Sequence, residues 1–304
     1  MNTVLCICTY QRPDGLRQLL ESLSKLDGVE SGMPVIVVDN DERGEGAEVC
    51  RALPADYPLQ VHCSIEPQAG ISPARNAAVR NALALNPEFI AFLDDDEQPS
   101  KQWLVELHRI QQETNADIVG GPTLSVFPDN VDDETRNNPY YGADLGMQDG
   151  QSCQLQAAGN FMIKASVIDS LSPTYFHPAF AQSGGEDLAF FTQLAANGAS
   201  MAWAAKAIVH EDVPANRLSQ GWMKQRVINI HNSRVRVMQM LEPGFAKALV
   251  RALKTVALFG WAAINSVTAV LVPARRDAAR LLRWKFIGKL TAHLRIATTR
   301  GEGH

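Results

Sequence analysis

Phe89-Ile-Ala-Phe-Leu-Asp-Asp-Asp96 is the run on which the reading of the chain turns: an unbroken apolar stretch that passes without a spacer into three carboxylates. Five consecutive apolar residues, with no polar alternation, make a strand covered on both faces. Upstream, Val4-Leu-Cys-Ile-Cys-Thr9 is a similar run that stops at the breaker Arg12-Pro-Asp-Gly15, and Val35-Ile-Val-Val38 is another that ends in Asp39-Asn-Asp-Glu42. Residues 59–63 make a weaker strand. Helical patterns separate these runs. Leu16, Leu19, Leu20 and Leu23 share one face, and residues 71–85 follow, with Ser72 placed to cap that helix and Pro73 suited to its first position. Downstream come a helix over 103–115 and a strand over 117–120. This alternation predicts an α/β fold, a mostly parallel sheet with helices on both faces. Such sheets bind ligands outside the carboxyl ends of their strands, the edge that Asp39 and Asp94, Asp95 and Asp96 share.

The middle of the chain is less regular. Residues 125–156, rich in Pro, Gly, Asp and Asn, read as a long loop or lid over that edge. Residues 157–164 read as a further strand and 165–171 as a helical turn. Gly184-Gly-Glu-Asp187 opens a helix over 188–197, and residues 199–209 return to the sheet at His210-Glu-Asp212. A basic helix over 217–241 follows, then two helices divided by Pro273. Residues 1–243 are therefore taken as the α/β domain and 244–304 as a helical appendage.

Composition sharpens that division. The 304 residues carry 28 Lys/Arg against 33 Asp/Glu, with 46% apolar and 20% charged residues, values of a chain with a sizeable core rather than a disordered or collagenous one. From residue 246 onward there are eleven Lys/Arg against two acids, a charge of +9, which leaves −14 on the first 245 residues. The cysteines at 6, 8, 50, 63 and 153 form no CxxC pair or Cys/His frame and read as free thiols of a reducing compartment. No charged segment precedes an apolar one at the N-terminus, so a cleaved signal peptide is not expected.

Three adjacent carboxylates at a strand end repel one another unless a cation or several N–H donors compensate. Hard divalent ions prefer such oxygen ligands and share them with phosphates, whereas a solvated acidic turn is the plainer alternative. Thr9-Tyr-Gln-Arg-Pro13, Val38-Asp-Asn40, Gly70-Ile-Ser-Pro-Ala-Arg-Asn76, Phe92-Leu-Asp-Asp-Asp96 and Gly185-Glu-Asp187, with His210, occur in one order over roughly residues 1–240. Together they resemble the family 2 glycosyltransferases of the GT-A fold, a Rossmann-like α/β architecture, and within it the bacterial exopolysaccharide enzymes of the succinoglycan type.

The resemblance implies roles residue by residue. Thr9, Tyr10, Arg12 and Asp39 would hold the nucleotide, Asp39 having a turn or helix cap as its alternative. Arg75 would lie near the nucleotide, the alternative being an ordinary helix-surface arginine. Asp94 and Asp95 would meet the nucleotide sugar, and Asp96 the Mn²⁺ or Mg²⁺ bridging the diphosphate, with His210 completing that metal site unless it is merely structural. Asp187 would be the base that deprotonates the acceptor, with Glu186 orienting it, although acids at a helix start also complement its dipole. Asp39-Asn-Asp-Glu42 lacks the serine common in the family, and the Gln-x-x-Arg-Trp signature of processive synthases is absent. The implied activity is therefore transfer of one sugar from a UDP-sugar to a saccharide or polyprenyl-linked acceptor. A nucleotidyltransferase is the rival enzyme class, disfavoured because Gly15 is the single glycine of residues 9–15; a non-catalytic nucleotide-sugar-binding protein would be expected to have lost one or more of the acids.

Residues 255–272, TVALFGWAAINSVTAVLV, carry no charge, sit at the lower limit for a bilayer span, and are interrupted by Asn265 and Ser266. Beyond Pro273, arginines and lysines interleave with Leu, Ile, Phe and Trp284. Such a helix suits an anionic membrane surface, and no nucleic-acid-binding module accompanies it. The expectation is a cytoplasmic protein peripheral to the inner face of the membrane; a hairpin packed on the protein, a true span and homo-oligomerisation stay open.

Overall fold

The computed structural model describes residues 2–296 and 298. The chain runs β1 (Thr3–Thr9), α1 (Pro13–Leu23), β2 (Pro34–Asp39), α2 (Glu45–Arg51), β3 (Gln60–Ile65), α3 (Ile71–Leu83), β4 (Phe89–Asp94), β5 (Glu97–Pro99) and α4 (Trp103–Thr114). It continues through β6 (Ile118–Gly120), β7 (Thr123–Val126), α5 (Asp133–Arg136), β8 (Phe161–Lys164), α6 (Ala165–Asp169), α7 (Glu186–Ala196), β9 (Met201–Trp203) and β10 (Val209–Asp212). Three long helices close it: α8 (Gln220–Leu241), α9 (Phe245–Leu271) and α10 (Arg276–His293).

The principal sheet has the order β3-β2-β1-β4-β8-β6-β9. Its first four strands are parallel, β8 is antiparallel to both neighbours, and β6 and β9 are parallel. Strand alternation splits the core in two. Val4, Cys6, Ile36, Val38 and Phe92 pack with Ala78 and Val79 of α3 and with Phe190 and Phe191. Leu5, Ile7, Val35, Val37 and Leu93 pack instead with Leu16, Leu19 and Leu20 of α1 and Leu107 of α4. Helices thus cover both faces, which is why these strands read as continuously apolar. Cys6 and Cys8 are buried, and none of the five cysteines is in a disulfide.

Several local expectations are corrected. Ser72 does not cap α3: the helix starts at Ile71 after Gly70, and the Ser72 hydroxyl donates instead to the His177 carbonyl at 3.2 Å. Residues 199–209 form two strands, β9 and β10, because a turn closed by Ala207 N–H on the Ala204 carbonyl intervenes. β10 joins a small separate sheet of order β5-β10-β7. Within 125–156 the chain is not wholly loop, since it includes the end of β7 and the single turn of α5, capped by Asp132.

His108 lines the opposite end of the sheet. Its Nε2 lies 3.0 Å from Thr3 Oγ1, and its ring meets Phe89 edge-on. Burial pushes its pKa down to about 4 from 6.5. The unfolded chain therefore takes up a proton below pH 6.5 that the folded chain refuses. The contribution to stability is complete above pH 6.5 and is lost as pH falls toward 4. Urea unfolding of His108→Gln across that window is expected to give a flatter stability–pH profile than wild type; an unchanged slope would refute the assignment.

The described chain divides into two compact units. The first comprises 1–181 and 190–213, and the second 182–189 and 214–304, so α8 joins α9 and α10 rather than the α/β unit. This division falls earlier than the expected one at 243/244.

Candidate active site

The parallel register places the ends of three strands in a row at the carboxyl edge of the first unit. Thr9 pairs with Asp39 across β1 and β2, and Cys8 pairs with Asp94 across β1 and β4. The three acids after β4 then take different directions. Asp95 is buried, accepting from Thr9 Oγ1 at 2.8 Å and Arg12 Nη1 at 3.0 Å. The same guanidinium nitrogen lies 2.7 Å from Asp96, and Asp94 holds Arg75 Nη2 at 3.0 Å. Compensation of the acidic run thus comes from two arginines.

Electrostatics follow this geometry. Burial pushes Asp95 up to about 6 although Arg12 pulls the other way. Burial alone would lower the Arg12 guanidinium; Asp96 and then Asp95 outweigh it and hold it above its ordinary value. The side chains of Asp94 and Asp96 remain 40% and 24% exposed, which leaves them as the members of the triad open to an incoming cation or ligand. Arg75 is not a helix-surface arginine: it is buried, with its guanidinium carbon 5.5 Å from the Phe176 ring centre.

Asp39 is used as a cap. Its Oδ1 accepts from Asp41 N–H and its Oδ2 from Ala47 N–H, each at 3.0 Å, so it fixes the turn and serves the start of α2, whose own cap position is glycine. A Cβ on Gly46 would stand 2.7 Å from Thr9 Cγ2 and 2.9 Å from Asp39 Oδ2, so this helix start approaches the strand edge only as glycine. Tyr10 is 47% exposed beside it.

Other residues of this edge were given no role from the sequence. Asn40 donates to the Glu66 and Gln68 carbonyls and accepts from Gly70 N–H, all at 2.8 Å, and so pins the approach to α3. Asn76 makes a reciprocal pair with the Phe176 backbone, also at 2.8 Å. Glu97 is buried. One oxygen accepts from Asp94 N–H at 2.9 Å and the other from the Thr123 hydroxyl at 3.2 Å. Burial, followed by repulsion from Asp94, holds its carboxyl well above the usual range. The signal for Glu97 was a fourth acid in the run 94–97; Asn40 and Asn76 close two of the motifs quoted above, but their bonds could not be read because the partners lie 26 to 100 residues away.

His210 is exposed on β10, in register with Gln98 and Leu124. Among the described residues no three His, Cys, Asp or Glu side chains form a ready metal cluster. The donor chemistry nonetheless fits a hard cation: Asp94 and Asp96 are oxygen donors at the accessible edge, and Asp96 already holds a positive centre, the Arg12 guanidinium, at 2.7 Å.

Glu186 and Asp187 belong to the second unit, at the first turn of α7. Gly184 and Gly185 precede them with φ of 74° and 101°, a backbone path that explains both glycines. Glu186 is fully buried, whereas Asp187 is half-buried. The segment is tied to α8: Ser233 Oγ donates to the Gly184 carbonyl at 2.9 Å, and Arg236 Nη1 to Ser183 Oγ at 2.6 Å. On α8 the Arg226 guanidinium stacks 5.1 Å over the Trp222 ring.

Residues 4–172 match the family model described as Glycosyl transferase family 2. The succinoglycan biosynthesis protein ExoM of Rhizobium meliloti is 31% identical over 280 residues, covering 89% of this chain and 86% of that protein. Glycosyltransferase AglE of Haloferax volcanii is 24% identical over 59% of this chain and 57% of its own length. Among solved structures, mannosyltransferase PcManGT from Pyrobaculum calidifontis, in complex with GDP-Man and Mn²⁺, has a TM-score of 0.65 at 15% identity, covering 96% of this chain and 87% of that one. S. aureus TarS 1–349 in complex with UDP has a TM-score of 0.56 at 14% identity, covering 97% and 92%. At these identities the two structures show a shared GT-A fold.

Proposed function

Since the chain belongs to glycosyl transferase family 2 and is a glycosyltransferase, we propose that it moves one sugar, with inversion, from a UDP-sugar to a saccharide or polyprenyl-linked acceptor in bacterial surface-polysaccharide synthesis. It works at the inner face of the cytoplasmic membrane, where the basic tail meets anionic lipid. The observation that carries this reading is the edge at the ends of β1, β2 and β4. There the carboxylates of Asp94 and Asp96 stay accessible while Arg12 and Arg75 balance their charge.

In this reading Tyr10 offers an exposed ring to the base, and Arg12, Arg75, Asp94 and the capped Asp39 turn border the nucleotide. Thr9 and Asp95 act one step back, holding Arg12 in place. Asp187 takes the proton of the acceptor hydroxyl as its oxygen bonds to the anomeric carbon. The bond from that carbon to the diphosphate breaks, and its electron pair leaves with UDP. Glu186, buried beside Asp187, orients the acceptor side. The chemistry that bound Mn²⁺ or Mg²⁺ supplies is neutralisation of charge on the departing diphosphate, and Asp96 with His210 would hold it.

A screen of nucleotide sugars tests donor and metal together. UDP release from one UDP-sugar is expected with Mn²⁺ and is expected to vanish with a chelator. Turnover that ignores the chelator would remove the metal from the proposal, and turnover confined to GDP-sugars would remove UDP.

A further inference from the structure

In the second unit α10 packs against both α8 and α9. The contact along α9 is antiparallel and runs through its middle. Thr255 Oγ1 lies 3.1 Å from His293 Nε2, the Phe259 and Phe286 ring centres are 5.0 Å apart, and Arg283 Nη1 donates to Ser266 Oγ at 3.3 Å. Thr255, Ala262 and Ala269, seven residues apart, are the buried positions of α9. The opposite side is bare. Leu249, Leu253, Val256, Ile264, Val267 and Leu271 recur at helical spacing in one stripe and are 47–82% exposed.

The polar residues that interrupt this segment in the sequence do not interrupt the stripe. Asn265 and Ser266 fall on other faces of the helix and donate to the Trp261 and Ala262 carbonyls. Exposed charge accompanies the stripe on the same pair of helices and their connection: Lys254, Arg275, Arg276 and Arg283 are exposed. An apolar stripe on a segment of net charge +9 is complementary to anionic headgroups over acyl chains. A second copy fits worse, because pairing these faces would bring together two tails that each carry +9.

By length and composition α9 is the described helix able to cross a membrane. Its packing argues against crossing. The α10 side chain bonded to its middle is the Arg283 guanidinium, on Ser266, and a span would carry that charge to bilayer depth.

We propose that α9 is an interfacial helix: it lies along an anionic bilayer with its bare stripe sunk about 5–10 Å into the headgroup–acyl boundary, and it does not span. This deepens the function proposed above by assigning the surface through which a lipid-linked acceptor is met, and it rests on that reading for the acceptor alone.

The test is flotation of the full chain with phosphatidylcholine vesicles and with vesicles of phosphatidylglycerol and phosphatidylcholine in equal parts, at low and high salt. Recovery with the anionic vesicles is expected to exceed that with the neutral ones about tenfold or more at low salt, and alkaline carbonate is expected to strip the bound protein. The Val256→Glu/Val267→Glu variant, altered only at exposed positions and checked for fold by near-ultraviolet circular dichroism, is expected to lose that binding about tenfold or more. Flotation of the variant equal to wild type would overturn the proposal, and carbonate-resistant protein would establish a span in its place. A wild-type dimer that ignores vesicles and that the variant makes monomeric would establish the second copy as occupant. UDP-sugar hydrolysis on the same preparations separates the two proposals. Vesicle binding without hydrolysis sustains the interfacial helix and sinks the UDP-sugar donor proposed above, and hydrolysis without vesicle binding does the reverse.

Discussion

Asp187→Asn is expected to cut sugar transfer by about 10²–10⁴-fold while leaving UDP-sugar affinity within about twofold of wild type. The substitution keeps the size and planarity of the side chain and removes its capacity to accept a proton. Asp187 is the member of the acidic pair that a hydroxyl can reach, since Glu186 is fully buried and Asp187 half-buried. Two glycines at φ 74° and 101°, with bonds from Ser233 to the first of them and from Arg236 to Ser183, hold the helix start that carries it. A merely dipole-complementing acid would behave otherwise: its loss would cost about 0.3–1 kcal/mol of stability and little activity. Transfer under saturating donor, with donor affinity measured separately by titration, distinguishes the two. Activity within tenfold of wild type would sink the base assignment.

Asp96→Ala is expected to abolish metal-dependent turnover, by about 10³-fold or more, and to raise the Mn²⁺ concentration needed for any residual activity. The fold should tolerate it. Asp96 is partly exposed, and Arg12 keeps Asp95 as a partner at 3.0 Å, so the stability change should stay within about 1 kcal/mol. Asp95→Ala is the contrasting variant, because it would leave the buried Thr9 hydroxyl without its acceptor and remove one of the two carboxylates that hold Arg12, and so act through the fold. Manganese titration of activity and thermal unfolding, run on both variants, would refute the division of labour if Asp96→Ala unfolded the protein or left the metal dependence intact.

What could be read from the chain in advance was whatever depended on neighbours in sequence. Apolar runs at 4–9, 35–38 and 89–93 became central strands because burial on both faces leaves a local mark. The acids that follow the second and third runs fell on one edge because parallel strands align their carboxyl termini. The inward turn of Asp95 could not be read that way. Three identical side chains are separated only by which of them meets Thr9 and Arg12, 83 to 86 residues earlier. Ser72 shows the opposite failure: a residue with the right chemistry for a cap, one place too far into the helix, found a carbonyl 105 residues away instead. The small sheet of β5, β10 and β7 was missed since strands of three or four residues carry too little pattern to announce a pairing. The early start of the second unit has the same root. Helices 217–241 and 276–293 look alike as basic amphipathic segments, and only their packing on one another joins them.

The bonds that tie the 183–184 segment to α8 also set an order of events during synthesis. Ser233 and Arg236 leave the ribosome 49 and 53 residues after the atoms they hold. At the usual pace of translation, that is a delay of roughly 3–10 s. The strands and acids at the ends of β1, β2 and β4 emerge well before these anchors, and His210 about two dozen residues before them. The acidic pair at the head of α7 is therefore fastened late, after the edge proposed for the donor has already been made.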